Sequence, residues 1–475
     1  MTEPIPVKPR RRPRAWIPWA LYLGMLVIYA WAYSYLGAIL ILEKNTVRTG
    51  NAQAEFIDGV YEAASMGEEG FEARRSISSE FTRALPQYTD GLIDPLWPWL
   101  MRGNSDERPD VLFEKGKWTN LILSGSILIL MAVAAARAFS FLGAAALMLM
   151  GGFGVILERS AFFSPDAIYY LLVVLAWLCA LSLHRQNHVW LYGVFGILLG
   201  LAFLAKPLVW PIIAGFLLVS LARTIVRSVR SRKETPLEDL WVSGNQLVGL
   251  SIFFTAFMLV VGPRLSYASE RFGDPFHTYE KYMVWLDSPV EAVRFPRDYP
   301  GVDELSQIPE GEKPGLIWFV ENHGVSELFS RAFEGAVAQS KASILGRGGW
   351  ILLYGFLVFA VIAGIHRWTV MRQDEEVWRV RGTSARWMLL FLASASAISL
   401  FYTGIGNVII PGNSMTTSLF LPILVTFIWI AERYRRQLQR SHRAQLVNRV
   451  YAVLMILPIL WISIRIVQAV TAPLG

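Results

Sequence analysis

The chain has 475 residues, of which 54% are apolar and 17% charged, and its mean hydropathy is +0.41. Soluble domains carry about 25% charged residues and roughly 45 to 50% apolar ones, so a water-soluble globular protein is excluded. The net charge of +7 acquires meaning only once the charges are divided between the two sides of a membrane.

Charge-free apolar runs mark the elements in chain order. They cover 16–42, 118–136, 138–157, 167–183, 189–205, 207–222, 243–262, 350–365, 388–404, 415–431 and 450–464. About 20 such residues cross the roughly 30 Å of hydrocarbon as a helix, so the runs predict eleven crossings in an all-α polytopic membrane protein. Two long stretches are each cut in two by a single polar position, at Arg137 and at Lys206 before Pro207. The lone cysteine, Cys179, lies inside a run, so no disulfide staples the parts outside the membrane.

The arginine and lysine bias of the loops sets the orientation. Residues 1–15 form a basic tail with Lys8, Arg10, Arg11, Arg12 and Arg14, expected on the cytoplasmic side of an inner (plasma) membrane. The cytoplasmic segments then hold 23 of the 44 basic residues and 8 of the 37 acidic ones, a balance of +15. The opposite side holds 21 and 29, a balance of −8. The basicity is therefore a topology signal, and a nucleic-acid partner is not expected.

Two extracytoplasmic segments, 43–117 with 75 residues and 263–349 with 87, are far longer than the usual connection of about 4 to 6. They divide the chain into a membrane module over 16–262, the second large loop, and C-terminal membrane helices over 350–475. None of the eleven runs has a charge in its middle, where ion-coupled transporters place their ionisable groups. Chemistry is expected at the extracytoplasmic face.

The first large loop opens with AQAEFIDGVYEAASMGE. Phe56, Val60, Ala63 and Ala64 recur at helical spacing, while Glu55, Asp58 and Glu62 share another face, as in a helix lying on a membrane surface. Three acids there also suit a plain solvated face. Further on, Asp90 and Asp94 precede Trp97, Pro98 and Trp99, where the indoles suit interfacial anchoring or stacking against a sugar. The turn LERSAFFSPDAIYY packs Glu158, Arg159 and Asp166 between two runs, and GLAFLAKP sets Lys206 at a helix end broken by Pro207. Lys206 suits a snorkelling boundary residue. With Arg159 it also suits a clamp on a phosphate. No histidine or cysteine pair has the spacing of a zinc site, and no phosphate-binding glycine loop or nucleophile elbow is present.

The order EFIDGVYEAASMGE, DPLWPWLMRG, ERSAFFSPDAIYYLL and GLAFLAKP resembles the glycosyltransferase-C superfamily of membrane enzymes, in the branch of the protein O-mannosyltransferases and bacterial aminoarabinose transferases. The likeness spans residues 16–262. It implies transfer of a sugar from a polyprenyl-phosphate donor to a hydroxyl of a lipid, glycan or protein acceptor. It also implies Asp58 as catalytic base with Glu55 as its alternate, and Arg159 and Lys206 on the donor phosphate. Tyr61, Asp94, Trp97 and Asp166 would line the pocket. No organic cofactor is implied, and a divalent cation is compatible with the family. The chain departs from the pattern in having Gly59 after Asp58 and Asp94 before Pro95, where relatives often carry a second acid and a lysine. The contrasting classes are a lipid-linked sugar flippase or exporter, which needs a continuous polar path, and a non-catalytic membrane scaffold.

Overall fold

The computed structural model describes residues 16–44, 60, 94–101, 109–186, 188–234, 236–299, 302–309, 311–345, 349–370, 383–407, 415–439, 441 and 443–471. Among these residues the regular structure is entirely helical. The helices are α1 (Trp16–Ile39), α2 (Leu96–Met101), α3 (Pro109–Ala138), α4 (Phe141–Gly151), α5 (Asp166–Gln186), α6 (Val189–Ala205), α7 (Trp210–Glu234), α8 (Pro236–Phe272), α9 (Leu316–Leu345), α10 (Gly349–Val370), α11 (Thr383–Asn407), α12 (Met415–Leu438) and α13 (Ala444–Thr471). Short helices Glu280–Met283, Pro289–Asp298 and Val302–Gln307 lie between α8 and α9.

A helix covers each of the eleven charge-free runs. Seven are long and apolar enough to cross a membrane, which makes this a multi-pass membrane protein. They contain Ala20–Leu42, Val111–Val133, Asp166–Leu183, Gln246–Glu270, Gly349–Thr369, Arg386–Gly406 and Ala444–Thr471. Three further apolar helices are shorter, and the run at 415–431 lies within α12. The cut expected at Lys206 is present, and the one expected at Arg137 falls three residues later, because α3 takes in Arg137. Ser140 caps α4 just after α3 ends, and Lys206 ends α6 in extended conformation before Pro207. Several boundaries move outward from the charge-free limits, two of them on the side of the long segments. α3 starts at Pro109 and takes in Glu114, Lys115 and Lys117, while α8 continues through Pro263 to Phe272. A polar residue at the end of a span is no obstacle to helix, because the bilayer ends before the helix must.

In hydrocarbon no water satisfies a polar group, so hydroxyls must find partners within the protein. A tyrosine stripe on α1 does this. Tyr22 donates to the Ala132 carbonyl at 2.7 Å, Tyr29 to the Met148 carbonyl at 2.8 Å, and Tyr33 shares a 2.9 Å hydrogen bond with Ser124. The Tyr29 contact requires Gly152, where a Cβ would stand 1.5 Å from the tyrosine oxygen. Here the helix widens into a π-helical turn over Gly152–Ile156 before its last turn, Leu157–Ser160. Behind α5, Trp177 donates to Thr426 of α12 at 2.8 Å and stacks on Phe391 of α11 at 4.3 Å.

The helix that begins at Phe141 and ends at Ser160 separates two charged clusters. At its start, Ser140 donates to the Glu432 carboxylate at 2.9 Å, and Arg436 donates to the same group at 3.1 Å. Arg435 also pairs with Glu432 and reaches Asn448 at 2.9 Å. At its far end lies Arg159. Twenty residues of helix span about 30 Å, which is the thickness of the hydrocarbon. The arginine-rich end and the Arg159 end are therefore a membrane thickness apart.

α9 and α11 cross at two glycines: a Cβ on Gly335 would stand 1.9 Å from the Gly404 carbonyl oxygen. Gly335→Leu should lower the unfolding temperature of the purified protein, because overpacking a tight contact costs about 1 to 3 kcal/mol. Gly262→Ala, facing open space, should leave it unchanged. A scanning-fluorimetry melt compares the two, and equal melts would contradict the close crossing.

Candidate functional site

Asp166 is the first residue of α5, where the exposed backbone N–H groups of a helix start favour a carboxylate. Its side chain receives two cations. Arg159 donates through NH1 at 3.2 Å, and Lys206 forms a short ion pair through Nζ. Arg159 comes from the last turn before the loop and Lys206 from the extended stop of α6, so a single carboxylate joins three chain segments. The Arg159 guanidinium also stands 5.9 Å from the ring of Tyr170, one turn into α5. Burial works against the Lys206 charge, but the nearby carboxylate of Asp166 more than offsets it, with Tyr170 and Asp94 adding, and the ammonium is held above the usual lysine range.

The loop between Arg159 and Asp166 is fixed from below. Asn120 of α3 donates to the carbonyl of Phe162 at 2.9 Å and to that of Arg159 at 3.4 Å. Phe163 inserts against Gly116, whose missing Cβ would lie 2.3 Å from the ring. Phe113 and Trp97 complete the seat at centroid distances of 5.8 and 5.4 Å. Lys117, on the same face of α3, is fully buried, with Nζ 2.7 Å from Glu114 and 4.3 Å from the centre of the Phe113 ring.

Asp94 precedes Pro95 and α2 and is half-buried. Burial pushes its carboxyl up to about 8. Glu280 adds to the rise, while Lys206 and Arg264 oppose it. Glu280 opens the short helix Glu280–Met283, and Arg264 is a buried residue just after Pro263 in α8. The site thus draws on both long segments and on three membrane helices. Acids and bases are interleaved in it, an arrangement that can hold an anion on Arg159 and Lys206 while keeping a neutral carboxyl beside it.

The structure brings together four of the eight residues singled out in the sequence: Asp94, Arg159, Asp166 and Lys206. Trp97 lies behind them. It is 1% exposed and packs its ring against Phe163. It is therefore a wall of the loop's seat and neither an interfacial anchor nor an open stacking surface, because its faces are covered; Trp99 is the exposed indole of the pair. Asp58, Glu55 and Tyr61 lie outside the described residues, as do Glu62 and Asp90, and the expected surface helix is represented only by Val60, helical and buried in the main core. Sequence reading missed Lys117, Arg264 and Glu280. Arg264 stands two residues beyond the charge-free run that ends at 262, and its proximity to Pro263 was the available signal. Among the described residues no three His, Cys, Asp or Glu side chains gather as metal ligands.

Comparison with protein-family models and with curated proteins finds no match to this chain.

A carboxyl with a folded-state pKa of about 8 and an unfolded value of 3.8 holds its proton more tightly when folded. Its contribution to stability is present in full below the unfolded value and is lost as pH rises through the folded one. Infrared spectra of the protein in lipid should show a protonated-carboxyl band at about pH 6 that fades through about pH 8 and is reduced in Asp94→Asn. Identical spectra for parent and variant would place the proton elsewhere.

Proposed function

We propose that the chain is an eleven-crossing membrane glycosyltransferase of the glycosyltransferase-C type, with its N-terminus in the cytoplasm of a cell whose plasma membrane it spans. It takes a sugar from a polyprenyl-phosphate donor and passes it to a hydroxyl of a lipid, glycan or protein acceptor at the extracytoplasmic face. The observation that carries this reading is the bridge of Asp166 to Arg159 and Lys206. The two cations that the motif likeness assigns to the donor phosphate come from separate loops and share one carboxylate, beside Asp94. A scaffold has no need of this convergence. A flippase needs a polar path through the membrane, whereas the segment between the Glu432 and Arg159 clusters is the apolar stretch Phe141–Ile156.

In the proposed reaction Asp58, with Glu55 as alternate, accepts the proton of the acceptor hydroxyl. The hydroxyl oxygen forms a bond to the anomeric carbon as the bond from that carbon to the phosphate oxygen breaks. The electron pair leaves with the phosphate, whose charge Arg159 and Lys206 neutralise through charge-assisted hydrogen bonds. Asp166 keeps both cations in place when no phosphate is there. Tyr61 and Asp94 line the pocket, and no step of this scheme is routed through a metal.

Asp58→Asn should reduce sugar transfer by about 100- to 10,000-fold while donor binding persists, since asparagine cannot take the proton. Arg159→Ala and Lys206→Ala should weaken donor binding as well as turnover. Transfer from a radiolabelled polyprenyl-phosphate sugar measures both effects. An Asp58→Asn protein as fast as the parent removes Asp58 from the mechanism and makes Glu55→Gln the next variant.

The sidedness has its own test. With Cys179 replaced by serine, an impermeant thiol reagent applied to intact cells should label Ser306→Cys and spare Arg230→Cys. The reverse pattern would invert the orientation.

A further inference from the structure

α9 carries three different faces beyond Gly324, whose φ of +81° breaks the helix there. One face is buried on α11. It includes Leu328 and Ala332 beside Ile405, Gly335 at Gly404, and Gln339, which accepts a 2.6 Å hydrogen bond from Thr403. Arg331 fastens the same face by donating to the carbonyls of Ile405 at 3.1 Å and Val284 at 2.6 Å. A second face is polar and exposed, with Glu327, Ser330, Glu334 and Lys341. The third is apolar and equally open. Val325, Phe329, Phe333 and Val337 follow one another at four-residue intervals, and Phe329 is 59% and Phe333 71% exposed.

Two fixed points give the height of this helix in the membrane. Its partners on α11 lie between Thr403 and Ile405, within two turns of that span's end at Gly406. Its own C-terminus leads at once into α10, whose span begins at Gly349. Both points are span ends, so the helix runs along a membrane boundary. The boundary is the one that holds the candidate site, because Arg331 donates to the carbonyl of Val284, directly after the short helix that Glu280 opens. The open apolar stripe is also continuous with the outside of a span: Phe329 lies 6.1 Å from Phe401, an exposed residue of α11.

We infer that residues 325–345 form an interfacial helix seated in the leaflet on the side of the Asp166 cluster, with Val325, Phe329, Phe333 and Val337 in the acyl chains and Glu327, Glu334 and Lys341 in water. A helix with one apolar and one charged face beside a transmembrane bundle is stabilised in this plane, because each face meets the solvent it prefers. The C-terminal part of the second long segment is therefore a membrane-seated element of the protein. This assignment does not depend on the transferase reading.

The full-length protein with Cys179→Ser, reconstituted in phosphatidylcholine and phosphatidylglycerol vesicles, tests it. Nitroxide labels are placed one at a time at Phe329→Cys, Phe333→Cys, Glu327→Cys and Glu334→Cys. Relaxation by oxygen should exceed relaxation by a water-soluble nickel chelate at 329 and 333, and the order should reverse at 327 and 334. The labels at 327 and 334 also report that the helix is folded and placed as expected. Nickel-chelate access at 333 equal to that at 334 would overturn the inference. Shielding of 329 and 333 from both relaxants would overturn it too, since a second protein surface would then cover the stripe.

Discussion

Hydrocarbon offers no hydrogen bonds, and this constraint shapes nearly every polar contact within the bundle. The tyrosines of α1 are anchored on backbone carbonyls and on Ser124, and Trp177 on Thr426. Gly152 and the π-helical turn behind it exist where a tyrosine hydroxyl must reach a carbonyl on a neighbouring helix. Charges are kept to the two ends of the bundle, where water and headgroups are near. The same rule makes the ends informative, because each buried or half-buried charge there must be held by a named partner.

At one end the partner is Glu432, which gathers Ser140, Arg435 and Arg436 and so ties the start of α4 to α12. At the other it is Asp166, which gathers Arg159 and Lys206. The two carboxylates serve different ends. Glu432 is nearly inaccessible and its ligands come from its own helix and the Ser140 turn, which suits a structural clasp. The Asp166 cluster is partly open, draws on loops, and borders Asp94, whose proton affinity is raised. Loops positioned by a rigid scaffold are where binding and chemistry concentrate, and this end has both the loops and the scaffold.

The charges around Asp94 are balanced against one another. Burial and Glu280 disfavour the charged form of Asp94, while Lys206 and Arg264 both favour it. A neutral Asp94 adds no negative charge beside the two cations that Asp166 gathers. Lys117 and Arg264 add two buried cations to the same region. The positive charge of this end is thus spread over residues far apart in the sequence.

Hydropathy alone determined where the apolar helices lie, though not α9 or the short helices before it, since a charge-free run long enough to cross hydrocarbon has few other stable conformations. It also marked the cut at Lys206 and one near Arg137, which the structure sets at Ser140. It could not place the ends of α3 and α8, where charged residues continue the helix past the bilayer's apolar limit. The pairing of Lys206 with Asp166, the burial of Lys117 and Trp97, and the entry of Arg264 and Glu280 into the site were decided by tertiary structure. Each depends on which helices stand side by side, and one-dimensional apolar patterning fixes how far a helix reaches across the membrane but not its neighbours or its rotation about its own axis.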